Sequence, residues 1–326
     1  MHIVRSCIIW LALGVALIAT TLAPAAAAEH YPNRPVKFIV SFAAGGSNDI
    51  TARVICDALS DRLGQQFIVE NRSGFGGNIG AQFTINSPPD GYTVMFVGPN
   101  NAISASVYKR LPFDFLRDTT PVGGIMRLTN IMVVTPSVPA KTLAEFIAYA
   151  KANPGKLNMA SPGAGTSPHM SGELFQMLAG IKMTHVPYRG AGPAYPDLIS
   201  GKVDVMFDNL PGSVPFVQAG QLRALGVTTQ QRNFVFPDVP AIGEVLPGYE
   251  ASVFYGVAAP HGTPDDIIAI LNKALNEALT DPKIKARIAD FGGVPMPMTP
   301  AEFGKLVADE TTKWEKVVEK TGLAIN

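Results

Sequence analysis

Cysteine, charge and long apolar runs are all scarce in this chain. Only Cys7 and Cys56 are cysteines among 326 residues, and 16% of residues are charged, with 26 basic against 26 acidic side chains. Such a balance excludes the basic footprint of a nucleic-acid or anionic-membrane partner. The five histidines (His2, His30, His169, His185 and His261) show no metal-ligand spacing such as H-E-x-x-H, so no metal site is expected. No serine sits in a G-x-S-x-G elbow. The stretch Gly74-Phe75-Gly76-Gly77-Asn78-Ile79-Gly80 comes near a dinucleotide loop, but its third glycine is one place late and it follows the second strand rather than the first. It reads as a tight loop letting the chain pass close over a cleft or sheet, and no cofactor is expected.

The one long apolar run is N-terminal. Arg5, the run Cys7 to Leu22, Pro24 and Ala25 to Ala28 have the layout of a secretory signal peptide over residues 1–28, against the rival reading of an uncleaved anchor. Cleavage removes Cys7 and Arg5, so 26 basic residues less one leaves 25 against 26 acidic. Cys56 then stands alone in a helical pattern as an inert buried thiol. An exported protein without disulfides must rest on its core.

From residue 36 onward, β-branched stretches alternate with helical spacing. Val36–Ser41 reads as a strand, followed by apolar positions Ile50, Val54, Ile55, Ala58, Leu59 and Leu63 at helical intervals and a closing Gly64. Strands at Phe67–Glu70 and Tyr92–Val97 follow, then one at Ile131–Thr135. Thr142 and Glu145 then form a capping box. A second run of strand and helix carries strands to Ala160, Tyr188, Phe207 and Thr228. Three helices end the chain and return to the first unit. The alternation specifies an α/β fold of two mostly parallel, doubly wound lobes, whose ligands lie beyond the carboxyl ends of the strands. The boundaries are residues 29–128 and 254–326 for lobe 1 and 129–253 for lobe 2. The hinge has two segments, near Met126–Asn130 and Ala251–Tyr255.

Two glycine-rich stretches, Ser41–Asp49 (SFAAGGSND) and Ser161–His169 (SPGAGTSPH), each leave a strand and open a helix. Free N–H groups and the positive end of the helix dipole make each an anion cradle, and two cradles suit a ligand with two acidic ends. Ser167 is a natural helix N-cap. His169 has two readings, neutral donor to a ligand or support for its loop. Arg189 either grips a carboxylate bidentately or is an exposed loop cation. Asp49 and Asp208 read as braces for loop amides. Tyr188 either stacks on a ligand or closes the core at its strand end.

Beyond these elements, the motifs SFAAGGSND, ENRSGFGGNIGA (70–81), PDGYT (89–93), NPGKLN (153–158), SPGAGTSPH, HVPYRGAGPA (185–194), MFDNLP (206–211), LRALGVT (222–228), FPDVP (236–240) and APHGTP (259–264) run across the whole exported chain. Together they resemble the extracytoplasmic solute receptors of the tripartite tricarboxylate transporter system, the Bug receptors. The resemblance implies a type II periplasmic binding protein fold closing over one organic carboxylate. It implies ligand contact at Ser41, Ala44, Gly45, Gly46, Ser47, Asn48 and Asp49, and at Ser161, Gly163, Gly165, Thr166 and His169. Tyr188, Arg189, Gly190, Asp208 and Asn209 line the far side. Ala44 stands where proline is usual in the family, Asn48 where a small hydroxyl residue is frequent and Arg189 where lysine is common; Asn100 and Asn101 are the candidates for reading the ligand's specific end. The expected role is a monomeric, non-enzymatic receptor that binds a small organic acid and presents it to the transporter's membrane subunits. The alternatives are a sensor feeding a signalling partner and an enzyme using His169 and Asp208.

Overall fold

One strand, β4 (Thr119–Val134), runs through both halves of the molecule and organises the rest. The computed structural model describes residues 31–321; the expected signal segment and Cys7 lie outside the described residues. In lobe 1, β1 (Val36–Val40) pairs in parallel with β2 (Phe67–Asn71) and with β3 (Thr93–Val97). The next strand, β9 (Ser252–Pro260), runs antiparallel to β3 and to residues 119–129 of β4, and the two-residue β10 (Val294–Pro295) pairs with β4 as well. In lobe 2, residues 130–134 of β4 pair antiparallel with β7 (Val205–Asn209), and residues 131–134 with β8 (Arg223–Val227). Beyond β7 lie the parallel strands β5 (Asn158–Ser161) and β6 (Thr184–Pro187).

Helices cover both lobes. Lobe 1 carries α1 (Ser47–Leu63), α2 (Asn78–Ile85), α3 (Pro99–Val107) and the short α4 (Phe115–Asp118). Lobe 2 carries α5 (Leu143–Ala152), α6 (Ser167–Ala179), α7 (Tyr195–Ile199) and α8 (Leu210–Gln218). The final helices α9 (Asp265–Thr280), α10 (Pro282–Asp290) and α11 (Pro300–Thr321) pack on lobe 1. Amphipathic spacing sets these contacts: Ala52, Ile55, Cys56 and Leu59 of α1 meet Ile268, Leu271 and Leu275 of α9 over the apolar face of β1, β3 and β9. Burial pushes the Cys56 thiol up, as an inert core thiol requires. The second lobe has its own core, with Phe146, Phe175 and Phe207 at its centre.

The sequence pattern shows only the last quarter of β4, and Pro121, Gly123 and Gly124 lie in the part it leaves unassigned. The structure tolerates them through register shifts opposite β9, at Pro121/Gly123 and Gly124/Met126. The missing side chains are also required, since a Cβ on Gly124 would lie 2.5 Å from the Met296 carbonyl oxygen. Nor are the lobes as parallel as simple alternation suggests: β4 and β9, which carry the chain between lobes, run antiparallel to their neighbours. The Thr142–Glu145 cap forms with one difference, in that the Glu145 carboxylate accepts from Lys141 N–H at 2.6 Å.

Thr228 ties the two crossings together. Its hydroxyl accepts from Asn130 N–H at 3.0 Å and donates to the Ala251 carbonyl at 2.6 Å, while its own N–H and C=O bond to Asn130 and Ala251. The Thr228→Val variant keeps the shape but leaves the buried Asn130 N–H and Ala251 carbonyl each short of a partner. A loss of about 2 kcal/mol is expected in urea unfolding; an unchanged midpoint would show that the knot carries no stability.

Candidate functional site

Four parallel strands, two from each lobe, end where the lobes meet, and each hands the chain to a helix. β1 leads to α1, β3 to α3, β5 to α6 and β7 to α8. The starts of α1, α6 and α8 are joined by hydrogen bonds. The Ser47 hydroxyl at the start of α1 donates to the Asn209 carbonyl at 2.6 Å and accepts from Gly212 N–H, in α8, at 2.8 Å. Asn209 Nδ2 reaches Ser167 Oγ at the start of α6 at 3.3 Å and Asn130 Oδ1 at 2.5 Å. At the start of α3, Asn100 Nδ2 is 3.5 Å from the Gly76 carbonyl. Helix N-termini present N–H groups and positive potential, so the floor between the lobes favours an anion. Among the described residues no lysine or arginine is buried.

The first glycine loop divides in two. Ser41, Gly46, Ser47 and Asp49 are buried and Asn48 is half-buried, whereas Ala44 and Gly45 are exposed at the outer rim. Asp49 braces the loop: its carboxylate accepts from Gly45 N–H at 3.1 Å, from Arg53 at 2.9 and 3.1 Å and from Asn71 at 3.0 Å. Burial would raise this carboxyl, but the hydrogen bonds outweigh it and hold it below the usual carboxylate range. The rim of the loop seals against lobe 2. Ala43 N–H donates to the Arg189 carbonyl at 3.0 Å, and a Cβ on Gly192 would lie 2.2 Å from the Ala44 carbonyl oxygen. Arg189 therefore contributes its carbonyl to this contact, and the residue as a whole is exposed. Gly190, with φ of +147°, packs against the Ala43 backbone.

The second glycine loop is buried and bonded largely to itself. Gly163 N–H donates to Ser161 Oγ, and the hydroxyls of Ser161 and Thr166 both donate to the Gly163 carbonyl. The helix N-cap is Thr166, which accepts from His169 N–H; Ser167, expected as the cap, is the first helical residue and spends its oxygen on Asn209. His169 Nδ1 accepts from Gly165 N–H at 3.1 Å, which places the ring proton on Nε2, 3.6 Å from the Glu173 carboxylate. Of the two readings of His169, this geometry is that of loop support. His185, which the sequence did not single out, stacks on it with centroids 3.9 Å apart and bonds Ser161 Oγ at 2.6 Å. Burial, and then the neighbouring His169, push the His185 imidazole down to about 4, so it is neutral at pH 7. The loop N–H groups thought free in sequence are thus engaged in good part.

Asp208 is fully buried at the end of β7. Its Oδ2 accepts from Tyr195 and Ser213 hydroxyls, both at 2.7 Å. Its Oδ1 has no hydrogen-bond partner among the described residues, and neither do the buried oxygens of Ser41, Ser104 and Tyr255. Tyr188 spends its hydroxyl on Asp197 at 2.9 Å, and burial together with that carboxylate pushes it up to about 12. Asn101 caps its own helix start, accepting from Gly98 N–H at 3.0 Å, so of the two asparagines Asn100 faces the Gly76–Gly77 loop. Sequence reasoning missed Asn130, Tyr195, Ser213, Tyr255 and Gly192. Only Gly192 had a visible signal, as the next glycine of the same GAG run.

Burial pushes the Asp208 carboxyl up to about 6, against the pull of its Tyr195 and Ser213 hydrogen bonds. A raised folded value means that protonation favours the fold: the stabilisation is complete below the unfolded value of 3.8 and is lost as pH rises through about 6. Asp208→Asn mimics the protonated acid and keeps an oxygen for Tyr195 and Ser213. The variant is expected to be more stable than wild type at pH 7.5, by up to about 3 kcal/mol, with the difference vanishing near pH 4. Paired thermal melts across that range check this; a difference independent of pH would contradict it.

A family model described as "Tripartite tricarboxylate transporter family receptor" matches residues 51–323. Protein BugT of Bordetella pertussis is 36% identical over 313 residues, covering 95% of this chain and 96% of BugT. A Rhodopseudomonas palustris protein solved with adipate is 37% identical with a TM-score of 0.88, covering 90% of this chain and 99% of that one. MatC from Rhodopseudomonas palustris, solved with bound malate, is 33% identical with a TM-score of 0.85, covering 88% and 100%. By sequence and by fold, this chain belongs to the solute-binding receptor family of the tripartite tricarboxylate transporters.

Proposed function

We propose that this protein is a monomeric periplasmic receptor that captures a small organic carboxylate between its lobes and delivers it, chemically unchanged, to tripartite tricarboxylate transporter membrane subunits. The observation that carries this reading is the hydrogen-bonded junction of the α1, α6 and α8 N-termini where the lobes meet, with the α3 N-terminus against the Gly76–Gly77 loop and no cationic side chain buried among the described residues. A carboxylate is matched by such donors, and a ligand contacted from both sides favours the closed form by its differential contacts. Micromolar affinity needs about 8 kcal/mol net, which several charge-assisted hydrogen bonds in a dry cleft supply at roughly 1.5–3 kcal/mol each. The adipate and malate bound to the two related structures support the ligand class. The Ser41 hydroxyl, buried at the end of β1 with no protein partner among the described residues, is one that a ligand can engage without breaking a protein hydrogen bond.

A thermal-shift panel of C4 to C8 dicarboxylates, hydroxy acids, aromatic acids and neutral sugars tests the class, because a ligand bound only by the native state raises the midpoint. Selective stabilisation by one class of acid, recovered unchanged after binding, is expected; stabilisation by sugars alone contradicts the reading. Closure has its own test. Gly192 has no left-handed φ, so alanine is allowed within lobe 2, yet its Cβ would lie 2.2 Å from the Ala44 carbonyl oxygen across the cleft. Gly192→Ala is expected to weaken binding of the best acid by roughly a hundredfold or more while ligand-free stability stays near wild type. Unchanged affinity would show that binding does not need this seal.

A further inference from the structure

The lobes also meet outside the cleft, on an apolar patch beside the second glycine loop. Ile103 and Val107 of α3, the adjoining Tyr108, and Trp314 and Val318 of α11 form one cluster with Met170 of α6. Met170 is the sole contributor from lobe 2 among the buried members, and its exposure is 1%. The same patch holds a polar tie: the Tyr108 hydroxyl donates to the Ala164 carbonyl, within the second loop, at 2.8 Å. Burial pushes that phenol up to about 12, so it remains a donor throughout the physiological range.

Surrounding geometry commits this contact to one arrangement. The Phe75 ring lies 4.4 Å from the Tyr108 ring, centroid to centroid, and Phe75 is the only non-glycine residue with positive φ among the described residues, at 51°. Its neighbours Gly74, Gly76 and Gly77 also have positive φ, and a Cβ on Gly76 would lie 2.4 Å from the Tyr108 oxygen and 2.5 Å from the Ala164 carbonyl oxygen. The strained run thus brings bare backbone to the point where Tyr108 crosses to lobe 2. Trp314 is fixed from behind, its Nε1–H donating to Glu310 at 3.1 Å.

We propose that Met170 and Tyr108 form a latch that favours the closed arrangement of the lobes whether or not a solute is bound. Separating the lobes exposes Met170 and the face of Tyr108, Val107 and Trp314 to water and breaks the Tyr108–Ala164 hydrogen bond. None of these costs depends on what occupies the cleft. Both residues are positioning residues: they set how far the second glycine loop sits from lobe 1.

The test uses wild type, Met170→Ala and Tyr108→Phe, each unfolded in urea and refolded to strip any carried-over acid. Small-angle scattering gives the radius of gyration, and emission lost in Trp314→Phe isolates the Trp314 signal at the lobe interface. Either variant is expected to be more expanded than wild type, with Trp314 emission shifted to the red and the closed-to-open ratio reduced roughly tenfold. Circular dichroism and a cooperative melt show that each lobe remains folded. If Met170→Ala does not fold, Tyr108→Phe, which removes a single oxygen, carries the test. Scattering and Trp314 emission identical to wild type in every variant that folds would overturn the latch.

Discussion

The structure depends on how closely two stretches of bare backbone can approach. Side chains normally hold peptide planes apart. At the rim of the cleft, residues 43–46 meet residues 189–192 with glycine or alanine at nearly every contact, and a main-chain hydrogen bond, Ala43 to Arg189, crosses between lobes. At the other end, a Cβ on Gly76 would sit 2.5 Å from the Ala164 carbonyl oxygen. Both seals keep the lobes close enough for Ser47 to hold the start of α8 with both its donor and its acceptor. Widening either seal by one methyl group would move the helix termini apart, and their fields fall off within the first turn.

Several polar groups of the two loops brace that geometry. Asp49, His169, Thr166 and Ser161 spend their hydrogen bonds on the glycine loops, and Tyr188 spends its hydroxyl on Asp197. A loop rich in glycine has high conformational entropy when free, so a defined cradle needs such braces. Thr228 does the same for the crossings, binding Asn130 and Ala251 through both its hydroxyl and its backbone. The rigidity of the site and the freedom of the lobes thus reside in different residues.

Much of this was legible in sequence. The alternation of β-branched runs with helical spacing, the glycines at strand ends and the capping residues report local structure, and they gave the α/β architecture and the two loops. What they could not report depends on partners distant in the chain. Pro121, Gly123 and Gly124 stay unassigned because their tolerance comes from β9 and from Met296. Nothing local to Arg189 reveals that its carbonyl bonds the backbone of lobe 1. Asn130, Tyr195 and Tyr255 carry no local signal, since their roles arise only when β4, β7 and β9 lie side by side. His185 is similar: only the pairing of β6 with β5 brings it beside Ser161.

Amide hydrogen exchange of the first-turn N–H groups of α1, α3, α6 and α8, with and without an acid chosen for its thermal shift, tests the central claim most directly. Convergence of the four termini on one carboxylate ligand predicts that it slows exchange in helices of both lobes together. Protection confined to the helices of one lobe, or absent from all four, would contradict it.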